Sequence, residues 1–172
     1  HDGNIWIATE ADGLRIYDPV AGTTNHLYHD PSNPSSLSHN TTVLTYEDPS
    51  GRIWVGVGGN EAHLWNPASR SFACYPNPTF SEASESYPIG SDRMGRLWVW
   101  YSHGGLSILS TSSGEFTSYD VSEGVCGFVY DMESMDHGRV LLAGTAGINI
   151  VSPDSIDTHR PPPALVITRM AI

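Results

Sequence analysis

The chain has 172 residues and carries 19 Asp and Glu against 8 Lys and Arg, for a net charge of −11. That balance argues against nucleic-acid binding, which needs a basic stripe to displace counterions from phosphates. Cys74 and Cys126 stand 52 residues apart without C-x-x-C spacing, so they are expected as two buried thiols with no support for a disulfide.

In chain order, a first strand is expected at Ile5-Trp6-Ile7-Ala8, after Gly3-Asn4. Gly13-Leu14 opens the next, which runs to Tyr17 before Asp18-Pro19 ends it. Residues 42–47 are β-rich and lead to a turn at Asp48-Pro49-Ser50-Gly51. Residues 52–57, 62–65 and 71–75 follow as three more strands, separated by Gly58-Gly59-Asn60-Glu61 and Asn66-Pro67 and closed by Pro76. The same plan returns with Gly95-Arg96-Leu97-Trp98 and Gly105-Leu106, and again with Gly138-Arg139-Val140-Leu141 and Gly147-Ile148.

Trp6, Trp54, Trp98 and Leu141 hold one position in this plan, spaced 48, 44 and 43 residues apart. Four short strands per unit, with no helical apolar period, make an antiparallel meander. A meander repeating at that length is the signature of a propeller blade. Both faces of Ile53-Trp54-Val55-Gly56 are apolar or small, as expected of a strand buried between stacked sheets.

The four recurring residues are therefore expected as core wedges between blades. Asp48 and Asp92 precede the turn glycine by three residues, where a carboxylate can accept main-chain N–H groups; Met135 at that offset demands a different fourth turn.

The expected fold is all-β: roughly three and a half four-stranded blades over residues 1–153, with a Pro-rich linker at 154–163 and a first strand of a further β domain at 164–172. A closed ring needs about four to eight blades, so the chain reads as a fragment whose partners include the remaining blades. Pro161-Pro162-Pro163 is the stiff spacer.

The Ile-Trp strand, the Gly-Leu strand and the segment His29-Asp30-Pro31-Ser32-Asn33-Pro34-Ser35-Ser36-Leu37-Ser38-His39-Asn40 together resemble the two-component regulator propeller repeat. The likeness covers about 150 residues, is strongest over 1–59 and fades in the last two copies. The tail from Arg160 to Thr168 resembles the entry into an immunoglobulin-like triple-tyrosine domain. The resemblance implies an extracytoplasmic, periplasmic sensor of a hybrid two-component histidine kinase, anchored in the inner membrane and homodimeric at full length. It also implies an oligosaccharide or other small ligand.

No cofactor is expected. His26-Leu27-Tyr28-His29 has a metal-like spacing, but strand residues at that offset point to opposite faces, and no third ligand is nominated, so no metal is expected. The acid pairs Glu10/Asp12 and Glu82/Glu85 are ordinary for a chain of this charge, and no nucleophile elbow or phosphate loop is present, so no catalytic residue is assigned.

Trp100 stands where other copies have Ala8 and Gly56, next to Tyr101 and His103. In a radial meander that segment lies on the same face as Asn60, Glu61 and His63 of the preceding blade. These six residues are the candidate ligand site, an aromatic platform beside polar donors. Residues 77–87 depart from the linker pattern and are expected to shape its rim. Two other classes stay open: a non-catalytic scaffold for protein partners, and a propeller lyase or hydrolase.

Overall fold

The computed structural model describes residues 3–81, 84–102 and 105–156. Four antiparallel sheets follow one another along the chain, each a meander in sequence order. The first holds β1 (Ile5–Ala8), β2 (Leu14–Asp18) and β3 (Thr23–Leu27). The second holds β4 (Thr42–Glu47), β5 (Ile53–Val57), β6 (Glu61–Asn66) and β7 (Ser71–Pro76). In the third are β8 (Ser86–Ser91), β9 (Leu97–Tyr101), β10 (Gly105–Leu109) and β11 (Phe116–Tyr119). The fourth has β12 (Val129–Ser134), β13 (Val140–Gly144) and β14 (Gly147–Val151). These are the blades expected from the repeat.

The sheets stack face to face, and each interface has its own core. Leu14 of the first sheet meets Val55, Val57 and Phe72 of the second. Trp54 and Ala62 of the second meet Leu97, Val99, Tyr101 and Leu109 of the third. Trp98 and Trp100 of the third meet Met132, Val140 and Leu142 of the fourth. Strands β9 and β10 are consequently buried at every residue, which explains their lack of alternation. The first strands of successive sheets, β4, β8 and β12, touch one another and form the inner edge.

The turn carboxylates work as expected. Asp48 Oδ1 accepts from the amides of Ser50 (2.9 Å) and Arg52 (3.0 Å), while Oδ2 accepts from Arg52 Nε (2.6 Å) and the Trp54 indole (3.2 Å). Asp92 repeats the set with Met94, Arg96 and Trp98. Each arginine then reaches the next blade: Arg52 donates to the Gly95 carbonyl at 3.4 Å and Arg96 to the Pro153 carbonyl at 2.8 Å.

In the fourth copy, with Met135 in place of the carboxylate, Arg139 Nε is buried without a partner among the described residues. The turn there is a 3₁₀ segment with His137 at φ 62°.

The glycine that opens the third strand is a matter of space. A Cβ on Gly105 would lie 2.3 Å from the Tyr119 carbonyl oxygen, at φ +139°.

Two expectations need correction. Trp54 and Trp98 are fully buried, but Trp6 is only half-buried, edge-on to Trp65 at 5.8 Å. Leu141 is half-buried because it lies opposite Val140 and Leu142, on the face turned away from the third blade. Of the two thiols, Cys126 is buried as expected, whereas Cys74 is exposed because β7 is an outer strand.

Pro153–Ser155, at the start of the expected linker, is a 3₁₀ turn held to the third blade by an Arg93–Asp154 ion pair. The proline run and residues 164–172 lie outside the described residues. No helix among the described residues is long and apolar enough to cross a membrane.

Candidate functional site

The connections expected to share a face do so. The bend after β5 and the bend after β9 both meet Glu85. Gly58 forms a bridge with Glu85, the Glu85 amide donates to Ser102 Oγ at 2.9 Å, and the Ser102 amide donates back to the Glu85 carbonyl at 3.1 Å. Adjacent blades are therefore joined at this end by residue 85 of the segment expected to form the rim.

Most of the expected ligand residues do not project there. Trp100 is 4% exposed and packs between blades, so its ring face is not free to stack on a sugar. Tyr101 and His63 are fully buried. For Trp100 and Tyr101 the physical reason is that β9 stays paired on both sides through Tyr101, placing alternate side chains into the two flanking interfaces; His63 is likewise held inside β6, paired with Val55 and Cys74.

Asn60 is half-buried and serves the loop: its Nδ2 donates to the carbonyls of Asn77 (2.8 Å) and Phe80 (3.0 Å). Glu61 is partly exposed at the start of β6. His103 lies outside the described residues, as does Glu82.

A different group of aromatic side chains reaches the surface nearby. Phe128 lies over Trp100, with ring centroids 5.3 Å apart, and it contacts Tyr87 at 5.8 Å and Tyr130 at 5.1 Å. The Tyr87 hydroxyl donates to Glu85 Oε2 at 2.6 Å. Tyr130 is 68% exposed because the β12–β13 register shifts between Val129 and Asp131, lifting residue 130 out of the ladder. Desolvation, then the hydrogen bond and charge of Glu85, push the Tyr87 phenol up to about 12, so it stays a donor. An apolar step flanked by a carboxylate and a hydroxyl is the chemistry that suits a pyranose, with one C–H face and a rim of hydroxyls. The Phe128-Val129-Tyr130 alternation is the only local signal for it; its approach to Tyr87 and the bulge that exposes Tyr130 come from the tertiary structure.

The two histidines with metal-like spacing serve separate local bonds. His26 Nε2 meets the Asp12 carbonyl at 2.6 Å and His29 Nδ1 meets the Leu37 carbonyl at 2.8 Å. A different set could hold a metal: Glu61, His63 and Cys74, whose ligand atoms lie within 4.8 Å of one another. Burial drives the His63 imidazole down to about 4 against the opposing pull of Glu61, keeping it neutral at physiological pH. Desolvation of the sulfur, reinforced by Glu61, pushes the Cys74 thiol up to about 12, although the residue as a whole is exposed.

No protein-family model and no curated protein matches the chain. Solved structures do. The extracellular domain assigned to the hybrid two-component system BT3049 of B. thetaiotaomicron superposes with a TM-score of 0.63 at 18% identity, over 89% of this chain and 26% of its own. The corresponding domain of BT4673 from the same organism gives 0.66 at 23% identity, over 88% and 22%. Virginiamycin B lyase of Staphylococcus aureus gives 0.61 at 15% identity, over 92% and 54%.

The fold and these likenesses define the chain as a segment of a β-propeller. It has the fold of solved extracellular domains of hybrid two-component systems and spans about a quarter of their length. A lyase shares that fold, so architecture alone assigns no chemistry.

Proposed function

We propose that the chain is a ligand-sensing propeller segment from the periplasmic part of a hybrid two-component sensor histidine kinase, and that its ligand is an oligosaccharide. The observation that carries the ligand class is Tyr130, lifted by a bulge into solvent and backed by Phe128, with the Glu85–Tyr87 pair beside it. A sugar ring stacks on the tyrosine, and its hydroxyls donate to the Glu85 carboxylate. Aromatic stacking contributes about 0.5–1.5 kcal/mol beyond the buried area. A hydrogen bond to a charged group adds about 1.5–3 kcal/mol.

Sensing, as distinct from binding, needs two states that the ligand tells apart. The patch spans the third and fourth blades, so occupancy biases how they sit against each other and passes to whatever follows the propeller. Ile5 and Ile7 on the first sheet, and Ile148 and Ile150 on the last, are exposed apolar residues on end faces and support packing by further blades. Non-catalytic action and homodimerisation at full length belong to the same reading.

Titration calorimetry with a panel of neutral and acidic oligosaccharides tests it. At least one should bind, and Tyr130→Ala should weaken it by about 2- to 12-fold. Absence of binding across the panel, or binding indifferent to both Tyr130→Ala and Glu85→Gln, overturns the oligosaccharide assignment.

A further inference from the structure

The blades share a polar position two residues into the third strand: Arg15, His63, Ser107 and Asn149. In three of them it receives the incoming inter-blade segment. The Ser38 amide donates to His63 Nε2 at 3.3 Å, Asn77 Nδ2 donates to Ser107 Oγ at 2.9 Å, and the Cys126 amide donates to Asn149 Oδ1 at 2.7 Å. Serine and asparagine satisfy this role with short bonds. Histidine does not. Its single bond is long, and Nδ1 is buried with no partner among the described residues. The nitrogen that faces Glu61 is Nε2, and the long Ser38 bond is the contact a metal there would displace, a weak one to give up.

Its neighbours are equally specific to the second blade. Glu61 occupies the place that Gly13, Gly105 and Gly147 hold in the other three, so the fold does not require a side chain there. Cys74 is the direct cross-strand partner of His63, and Glu61 lies two residues along the same strand, so all three point to one face. His63 Nε2 is 3.9 Å from Glu61 Oε2. The set grades outward, from buried His63 through partly exposed Glu61 to exposed Cys74, which leaves a path for an ion from solvent.

We propose that Glu61, His63 and Cys74 form a binding site for a borderline-soft divalent cation, Zn²⁺ above all, with water in the remaining position. One sulfur, one imidazole nitrogen and one carboxylate oxygen are the donor types zinc selects, and three protein ligands leave the fourth tetrahedral position open. Ligand atoms within 4.8 Å need to close by about an ångström to reach zinc bond lengths near 2.0–2.3 Å, within reach of side-chain rotation. Binding releases the Cys74 thiol proton to solvent as the sulfur–metal bond forms. The site tethers β6 to β7 on the outer side of the blade and is independent of the sugar patch, so either can fail alone.

The test uses the whole chain, stripped with chelator and titrated first with Co²⁺ and then with Zn²⁺. One equivalent of Co²⁺ should bind with a thiolate-to-cobalt absorption band that Zn²⁺ then bleaches. Cys74→Ser should abolish the band, and Glu61→Gln should keep it while weakening Zn²⁺ at least about tenfold. Both altered side chains reach solvent, so both variants should melt with wild-type apo protein; His63→Ala risks misfolding and is not needed. No band in the wild type, a band surviving Cys74→Ser, or unchanged Zn²⁺ affinity in Glu61→Gln overturns the site.

Discussion

Removing the Asp92 carboxylate is the perturbation from which the fold predicts most. That side chain has no solvent exposure and accepts four hydrogen bonds: two from turn amides, one from Arg96 Nε at 2.8 Å and one from the Trp98 indole at 3.0 Å. Asp92→Ala strands the indole N–H and leaves a guanidinium that is only 10% exposed without its counter-charge. Taking one partner from a buried pair costs about 3–5 kcal/mol, a large share of the roughly 5–15 kcal/mol that holds a domain folded.

Asp48→Ala should cost less, because the Arg52 side chain is 35% exposed and can turn to water. The assay is urea unfolding at neutral pH, extended to a cycle with Trp98→Phe, which removes the stranded donor. The double mutant should lose about 1–3 kcal/mol less than the sum of the singles. An Asp92→Ala loss under about 1 kcal/mol, or an additive cycle, would show that the carboxylate is not what pins the tryptophan.

Further outcomes follow from the same structure. Met135→Asp should gain about 1 kcal/mol by giving Arg139 the acceptor its blade lacks, read as a raised urea midpoint. Gly56→Ala should be severely destabilising, since a Cβ would fall 2.0 Å from the Ser86 carbonyl oxygen and 2.7 Å from Pro88 Cδ; thermal melting reads it. Acid should act partly through Asp48. Burial raises that carboxyl, but the Arg52 and Trp54 donors outweigh it and hold it below its ordinary 3.8. Its contribution is therefore complete above that value and lost as pH falls through the lower folded one. Melting curves from pH 6 to pH 2 should fall less steeply for Asp48→Asn than for wild type, and parallel falls would refute the assignment.

The sequence by itself determined the blades, because each strand and turn is a local pattern. Asp48 and Asp92 lie within six residues of every donor they bind, and only the arginines they hold reach the next blade. Strands 42–47 and 71–75 were legible to within a residue for the same reason.

Facing was decided only by the tertiary structure. Whether Trp100 meets water or Met132 depends on the next sheet, 32 residues on, and Tyr130 is free because a bulge skips it. Cys74 joins His63 through a register set by the intervening hairpin, so no spacing in the chain announced it. Periodicity encodes which residues share a face; what covers that face is set by contacts between segments far apart in sequence.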